Sequence, residues 1–171
     1  MVNKELDVYV KSFKQGNDEA FDVIYDETKK LIYLSIHPII NSNSLTEDLM
    51  QETYMKAIKS LESYKIGTNF KAWICRIAHN LAINEYNSRK KVESLDEENM
   101  LEIEDKSPQN SLLDSAYEIL NRDPKTYEKE IFTYRIVCDM KFSDISTILD
   151  LPKSTVFNIY NRIIKKIKDN I

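Results

Sequence analysis

Apolar side chains along this chain recur at helical spacing, not in the alternation of a half-buried strand. Leu6, Tyr9, Val10 and Phe13 define one helical face, and Gly16 can end that helix in the left-handed conformation. Asn17 and Asp18 can cap a second helix, with Phe21, Ile24, Tyr25, Thr28, Leu31 and Ile32 on its apolar face, until Pro38 ends or kinks it. A third is expected from residues 44–46, where Ser44 with Glu47 fits a capping box and Thr46 fits a simple cap. Its buried face would be Met50, Tyr54, Ala57, Ile58 and Leu61. Residues 64–69, containing Gly67, read as a loop. Thr68 or Asn69 then caps a helix with Phe70, Trp73, Ile74, Ile77, Ala78 and Leu81 on a single face. These four helices can share one core.

The periodicity dissolves between residues 93 and 109 into acidic and polar side chains with Pro108, the pattern of a linker. Helical spacing resumes near Ser111. Asp123 followed by Pro124 is a helix start, and that helix should run to about Asp139. Ser143 would cap a short helix through Leu149, Asp150 to Pro152 would form a turn, and a last helix would follow. Two glycines and four prolines are too few for the hairpins of an all-β chain of 171 residues. The expectation is an all-α fold of two small helical domains, residues 1–91 and 111–171, joined by an acidic linker at 92–110.

The longest apolar stretch, residues 31–40, is broken by Ser35, His37 and Pro38 and falls short of the roughly 20 residues of a membrane span. The N-terminus lacks the apolar core of a signal peptide, so a cytoplasmic protein without membrane insertion is expected. Cys75 and Cys138 stand alone in helical patterns and are read as small core or surface residues, not disulfide or zinc ligands.

A net charge of −4 argues against a polyanion partner until its distribution is considered. Residues 56–91 hold eight basic side chains against two acids, residues 92–123 hold ten acids against two bases, and residues 151–171 hold five bases against one acid. Two basic patches flanking an acidic strap suit two separate contacts with a polyanion.

The C-terminal pattern, from Phe142 to Arg162, fits a helix-turn-helix. Ile145, Ile148 and Leu149 bury the short helix, Leu151 plugs the turn, and Val156, Ile159, Tyr160, Ile163, Ile164 and Ile167 form a stripe on the second helix. Ser154, Asn158, Asn161, Arg162 and Lys165 point away from that stripe, and Lys153 and Thr155 stand beside them at the helix start. Short polar groups followed by cations suit a major groove; a helical hairpin with a solvated outer face is the alternative. Phe157 lies at the edge of the stripe.

The run Leu45-Thr-Glu-Asp-Leu-Met-Gln-Glu-Thr-Tyr-Met-Lys-Ala57, followed by Phe70-Lys-Ala-Trp-Ile-Cys-Arg-Ile-Ala-His-Asn-Leu-Ala-Ile-Asn-Glu-Tyr-Asn-Ser-Arg-Lys-Lys91, resembles the polymerase-binding and promoter-melting segments of extracytoplasmic-function (ECF) sigma factors of the sigma-70 family. The earlier Gly16-Asn-Asp-Glu-Ala-Phe21 and the later helix-turn-helix resemble the same family in the same order. The resemblance implies a region 2 helical domain, which docks on core RNA polymerase and opens the minus-10 element, and a region 4 domain that reads minus-35 DNA. It implies polymerase contacts at Asp48, Gln51, Glu52 and Tyr54, although Glu47 and Asp48 also suit a helix N-terminus by charge alone. It further implies that Asn80 holds a flipped base while Lys65, Lys71, Arg76, Arg89, Lys90 and Lys91 hold phosphates. Trp73 and Phe70, on the apolar face, are expected in the core, and His79 at the surface.

Departures from the family pattern are Phe157 and Ile159 where basic residues are common, Asp150 in place of a turn glycine, and Asn84 in place of an acid. Promoter preference therefore does not carry over. The implied partners are core RNA polymerase, promoter DNA and an anti-sigma factor, with no cofactor and no metal. The other reading is a helix-turn-helix regulator that acts without polymerase, which leaves the helix at 45–57 without a partner. An enzyme is disfavoured because the chain has no GxxxxGK[ST], GxSxG or HExxH pattern and only two histidines, His37 and His79.

Overall fold

The computed structural model describes residues 2–93, 112–120 and 126–170, and these are helical with no strand among them. The helices are α1 (Val2–Lys14), α2 (Glu19–Ile40), α3 (Asn43–Lys59), α4 (Phe70–Glu93), α5 (Leu112–Ile119), α6 (Glu128–Phe132), α7 (Phe142–Leu149) and α8 (Lys153–Lys168). A 3-10 turn, Leu61–Ser63, follows α3, and a π-helical turn, Thr133–Val137, continues α6. Most of the expected linker, and the helix start expected at Asp123 and Pro124, lie outside the described residues.

Helix α1 ends where expected, with Gly16 at φ +93°. Asp18 is the N-cap of α2 but its side chain makes no capping bond. Pro38 leaves α2 intact for two more residues, and Asn41, at φ 54°, closes it by donating its N–H to His37 O at 2.8 Å. The start of α3 corrects the expectation: Ser42, in extended conformation, is the cap, and its Oγ accepts from Leu45 N at 3.5 Å. Asn69 caps α4 as the pattern predicts, accepting from Ala72 N at 3.1 Å. In the last hairpin Lys141, not Ser143, precedes α7, and Asp150 adopts φ 53°, supplying the left-handed turn usually given to glycine.

Two cores form. The first gathers Leu6, Val10, Ile24, Ile32, Ile36, Ile74, Ala78 and their neighbours between α1, α2, α3 and α4. Thr28 lies inside it, its hydroxyl bonded to Ile24 O at 2.6 Å and to Tyr54 Oη at 2.9 Å. The second gathers Leu120, Ile131, Phe132, Tyr134, Ile145, Ile148, Val156 and Ile163. This second core is completed by Ala72 and Cys75 of α4, with Leu31 of α2 packed against it, so α4 lies between both. Ile58, expected inside, is 45% exposed.

Candidate polymerase and nucleic-acid interfaces

On α3, Asp48, Gln51 and Glu52 are exposed on one side, while Thr46, Leu49, Thr53 and Ala57 are buried on the other. Glu52 pairs with Lys56 one turn on, at 3.1 Å. Tyr54 does not join its three companions. It is 7% exposed, its ring meets Phe21 and Tyr25, and its hydroxyl lies within hydrogen-bond distance of Thr28, so the apolar face assigned to it is correct and the surface contact is not. Burial pushes its phenol up to about 12.

The loop at 64–69 leaves Lys65 and Ile66 exposed, turning at Gly67 with φ +91°. Its base is a ring cluster: Tyr64, 2% exposed, meets Phe70 edge-on at 5.0 Å and Trp73 at 5.4 Å, so the two α4 aromatics are packing groups. Beyond it, α4 presents Arg76, Asn80, Arg89, Lys90 and Lys91 to solvent. Lys71 is turned inward instead, its ammonium 2.9 Å from Glu27 of α2 and its side chain 18% exposed. Arg76 reaches Asp150, in the turn between α7 and α8, at 3.6 Å. Arg89 pairs with Glu85 at 3.1 Å, and Lys90 lies over the Tyr86 ring.

His79 corrects a second expectation. It is 4% exposed, not at the surface, and its Nδ1 has no hydrogen-bond partner among the described residues. Ala72, Cys75 and His79 follow one another at i, i+3 and i+7, a second buried stripe facing the C-terminal core. Desolvation lowers the His79 pKa to about 4, leaving the imidazole neutral near pH 7. Beside it a cleft of about 200 Å³ opens between α4, which contributes Asn80 and Asn87, and Tyr127 and Leu149.

On α8, Lys153, Ser154, Asn158, Asn161, Arg162 and Lys165 are exposed and Thr155 is half-buried, so the outward set stays on one face. Val156 and Ile163 are fully buried beneath it. Arg162 is also tied to the buried Glu128 of α6 at 3.5 Å, and Lys166, which the pattern did not single out, meets the same carboxylate at 2.9 Å. Phe157 is 48% exposed and edge-on to Phe142, whose ring also carries the Arg135 guanidinium. Burial raises the thiols of Cys75 and Cys138, to about 12 and about 11, so neither is a nucleophile near neutral pH. Among the described residues no helix is long and apolar enough to cross a membrane.

Residues 24–92, spanning most of α2 through α4 and the loop between the last two, match the family model for sigma-70 region 2. The chain is 27% identical over 163 residues to the ECF RNA polymerase sigma factor SigW of Bacillus subtilis, covering 86% of each chain. Residues 24–92 thus form a sigma-70 region 2 domain, and over most of its length the chain is similar to ECF sigma factors. Over 163 residues it is also 25% identical to the ECF RNA polymerase sigma-E factor of Haemophilus influenzae, covering 86% of this chain and 85% of that one. The chain shares its fold with the sigma factor RpoE of Bartonella quintana, solved in complex with the anti-sigma factor NepR, with TM-score 0.72 at 18% identity over 87% of this chain and 94% of that one. The shared fold extends past the region 2 match into the helices that carry the second basic patch.

Proposed function

We propose that this sigma factor binds core RNA polymerase through the outer face of α3 and directs it to promoters, opening DNA with α4 and its preceding loop and reading upstream duplex with α8. It works in the cytoplasm, adding no catalytic step to that of the polymerase. The observation that carries this reading is the division of α3, where Asp48, Gln51 and Glu52 face outward within the region 2 match while the opposite side is committed to the core. Exposed carboxylates at i and i+4 suit arginines or lysines across an interface, where complementary charge sets orientation and association rate. On α4, Asn80 offers both donor and acceptor groups to an unpaired base, with Arg89, Lys90 and Lys91 further along for its phosphates. On α8 the polar groups precede the outward cation Lys165, as they would for base edges flanked by backbone. An anti-sigma factor is a further partner on this reading, since the Bartonella relative is held by one.

The deciding experiment is run-off transcription with purified core polymerase, which should depend on added chain and on promoter sequence. Asp48→Lys with Glu52→Lys should weaken core binding roughly tenfold or more with helicity unchanged, because exposed acids contribute little to folding. Unaltered core affinity in that double variant would remove α3 as the docking element.

A further inference from the structure

The loop at 64–69 is held from behind by a carboxylate far away in sequence. Asp7 of α1 is 7% exposed and both its oxygens are used: Oδ1 accepts from the Tyr64 hydroxyl at 2.7 Å and Oδ2 from the Gly67 N–H at 2.8 Å. Lys14, two turns further along α1, donates to Tyr64 O at 3.3 Å. On the other side Thr68 closes the turn by donating its hydroxyl to Lys65 O at 2.7 Å. The result is a short loop pinned at its entry and at its left-handed glycine, with Lys65 and Ile66 between the pins directed to solvent. A carboxylate removed from water is costly unless its oxygens are satisfied, and an apolar residue on α1 would have filled the same space. The position therefore serves the loop more than the core. Asp7 also lies outside the segment matched by the region 2 model, which begins at residue 24.

We propose that Asp7 is a positioning residue for strand opening: it fixes the backbone of the loop at 64–69 so that Lys65 and Ile66 meet the unpaired promoter strand in one arrangement. The inference rests on the assignment of this loop and α4 to the opened strand. Capturing an extruded base demands a preformed receptor, because ordering a mobile loop during capture subtracts from the binding that sustains unstacking. Asp7 touches no DNA in this scheme. It acts through Tyr64 and Gly67.

The test uses the full chain with core polymerase on a promoter where the wild-type holoenzyme supports run-off, labelled with 2-aminopurine in the minus-10 element, alongside the same promoter premelted by mismatches. Asp7→Ala removes both acceptors and should slow opening of the duplex roughly tenfold, equivalent to about 1.4 kcal/mol in the barrier, while affecting the premelted template less than about threefold. Asp7→Asn, which keeps one acceptor, should fall between wild type and Asp7→Ala. Tyr64→Phe should slow opening alone but add little to Asp7→Ala, since the two remove the same bond. Trypsin should cut after Lys65 faster in each slowed variant. Equal slowing on both templates, or wild-type opening by Asp7→Ala, overturns the proposal. If Asp7→Ala does not fold, Asp7→Asn and Tyr64→Phe give the same comparison. Wild-type opening kinetics in Asn80→Ala would instead strike at the underlying assignment of the site, and run-off that never depends on the chain would remove both.

Discussion

Every residue of the core formed by α1 to α4 comes from residues 6–86, whereas the core around α6 to α8 closes on Ala72, Cys75 and Leu31, which belong to α4 and α2. The first unit has helices of 13, 22, 17 and 24 residues and ties distant segments with buried hydrogen bonds, Thr28 to Tyr54 and Asp7 to Tyr64. The second is assembled from helices of 8, 5, 8 and 16 residues, too little to bury a large area without help. The first unit thus supplies a platform on which the second completes its packing. The same helix, α4, serves as platform on one side and as candidate strand-reading surface on another.

The strongest way to break this comparison is to damage each core and monitor the seam. Ile24→Ala and Ile148→Ala each truncate a side chain at most 2% exposed, and each should cost about 2 to 5 kcal/mol. Only Ile148→Ala should speed thiol labelling of Cys75 under native conditions, measured in a Cys138→Ser background, because Cys75 is sealed by the second unit. Equal acceleration in both variants would mean that the cores open together.

A smaller effect is expected from pH. His79 sits on the seam with its pKa lowered to about 4 by burial, against 6.5 unperturbed. The unfolded chain therefore binds the proton more readily between those values, so stability holds above about pH 6.5 and falls as pH drops towards 4. By pH 5 the loss attributable to His79 should be about 2 kcal/mol, read as the difference between wild type and His79→Gln in denaturant midpoints at pH 7 and 5. A wild-type profile that parallels His79→Gln would show the imidazole to be solvated.

The first unit was largely legible in the sequence, and the reason is physical: large apolar side chains at helical spacing, with Gly16 and Gly67 marking the left-handed turns. The seam was not. Ala72 and Cys75 are small, and His79 carries no apolar signature, so their recurrence at i, i+3 and i+7 signals burial only once a partner more than fifty residues away is known. The pattern points to Ser44 or Thr46 as the cap of α3 because either hydroxyl fits it, whereas Ser42, two residues before Ser44, makes the bond to Leu45 N. Tyr54 read as both core and surface because a helical position next to an exposed acidic face satisfies either pattern; the bond to Thr28 decides it. Asp150 departs from the usual turn glycine but adopts its backbone conformation at φ 53°, so the turn tolerates it.

The finest distinction between the units lies in how each would meet DNA on the proposed reading. Lys165 is exposed on α8, whereas Arg162 on the same face is shared with the buried Glu128. Lys165→Ala should therefore lower the salt slope of upstream-duplex binding by about one counterion with melting temperature unchanged. Arg162→Ala should lower the slope similarly but also destabilise the second unit, since it withdraws one cation from a buried carboxylate. Asn80→Ala, on α4, should leave the duplex slope untouched and slow promoter opening, because an extruded base loses a hydrogen-bond partner worth about 1 to 3 kcal/mol. Premelting the template should restore much of the Asn80→Ala rate and none of the Lys165→Ala affinity, since only the former variant is impaired in unstacking. The measurements are duplex binding across a salt series and opening rates on matched duplex and premelted promoters. If Asn80→Ala and Lys165→Ala shifted both in parallel, the two basic surfaces would be one continuous contact, and the separation of strand opening from duplex reading would be lost.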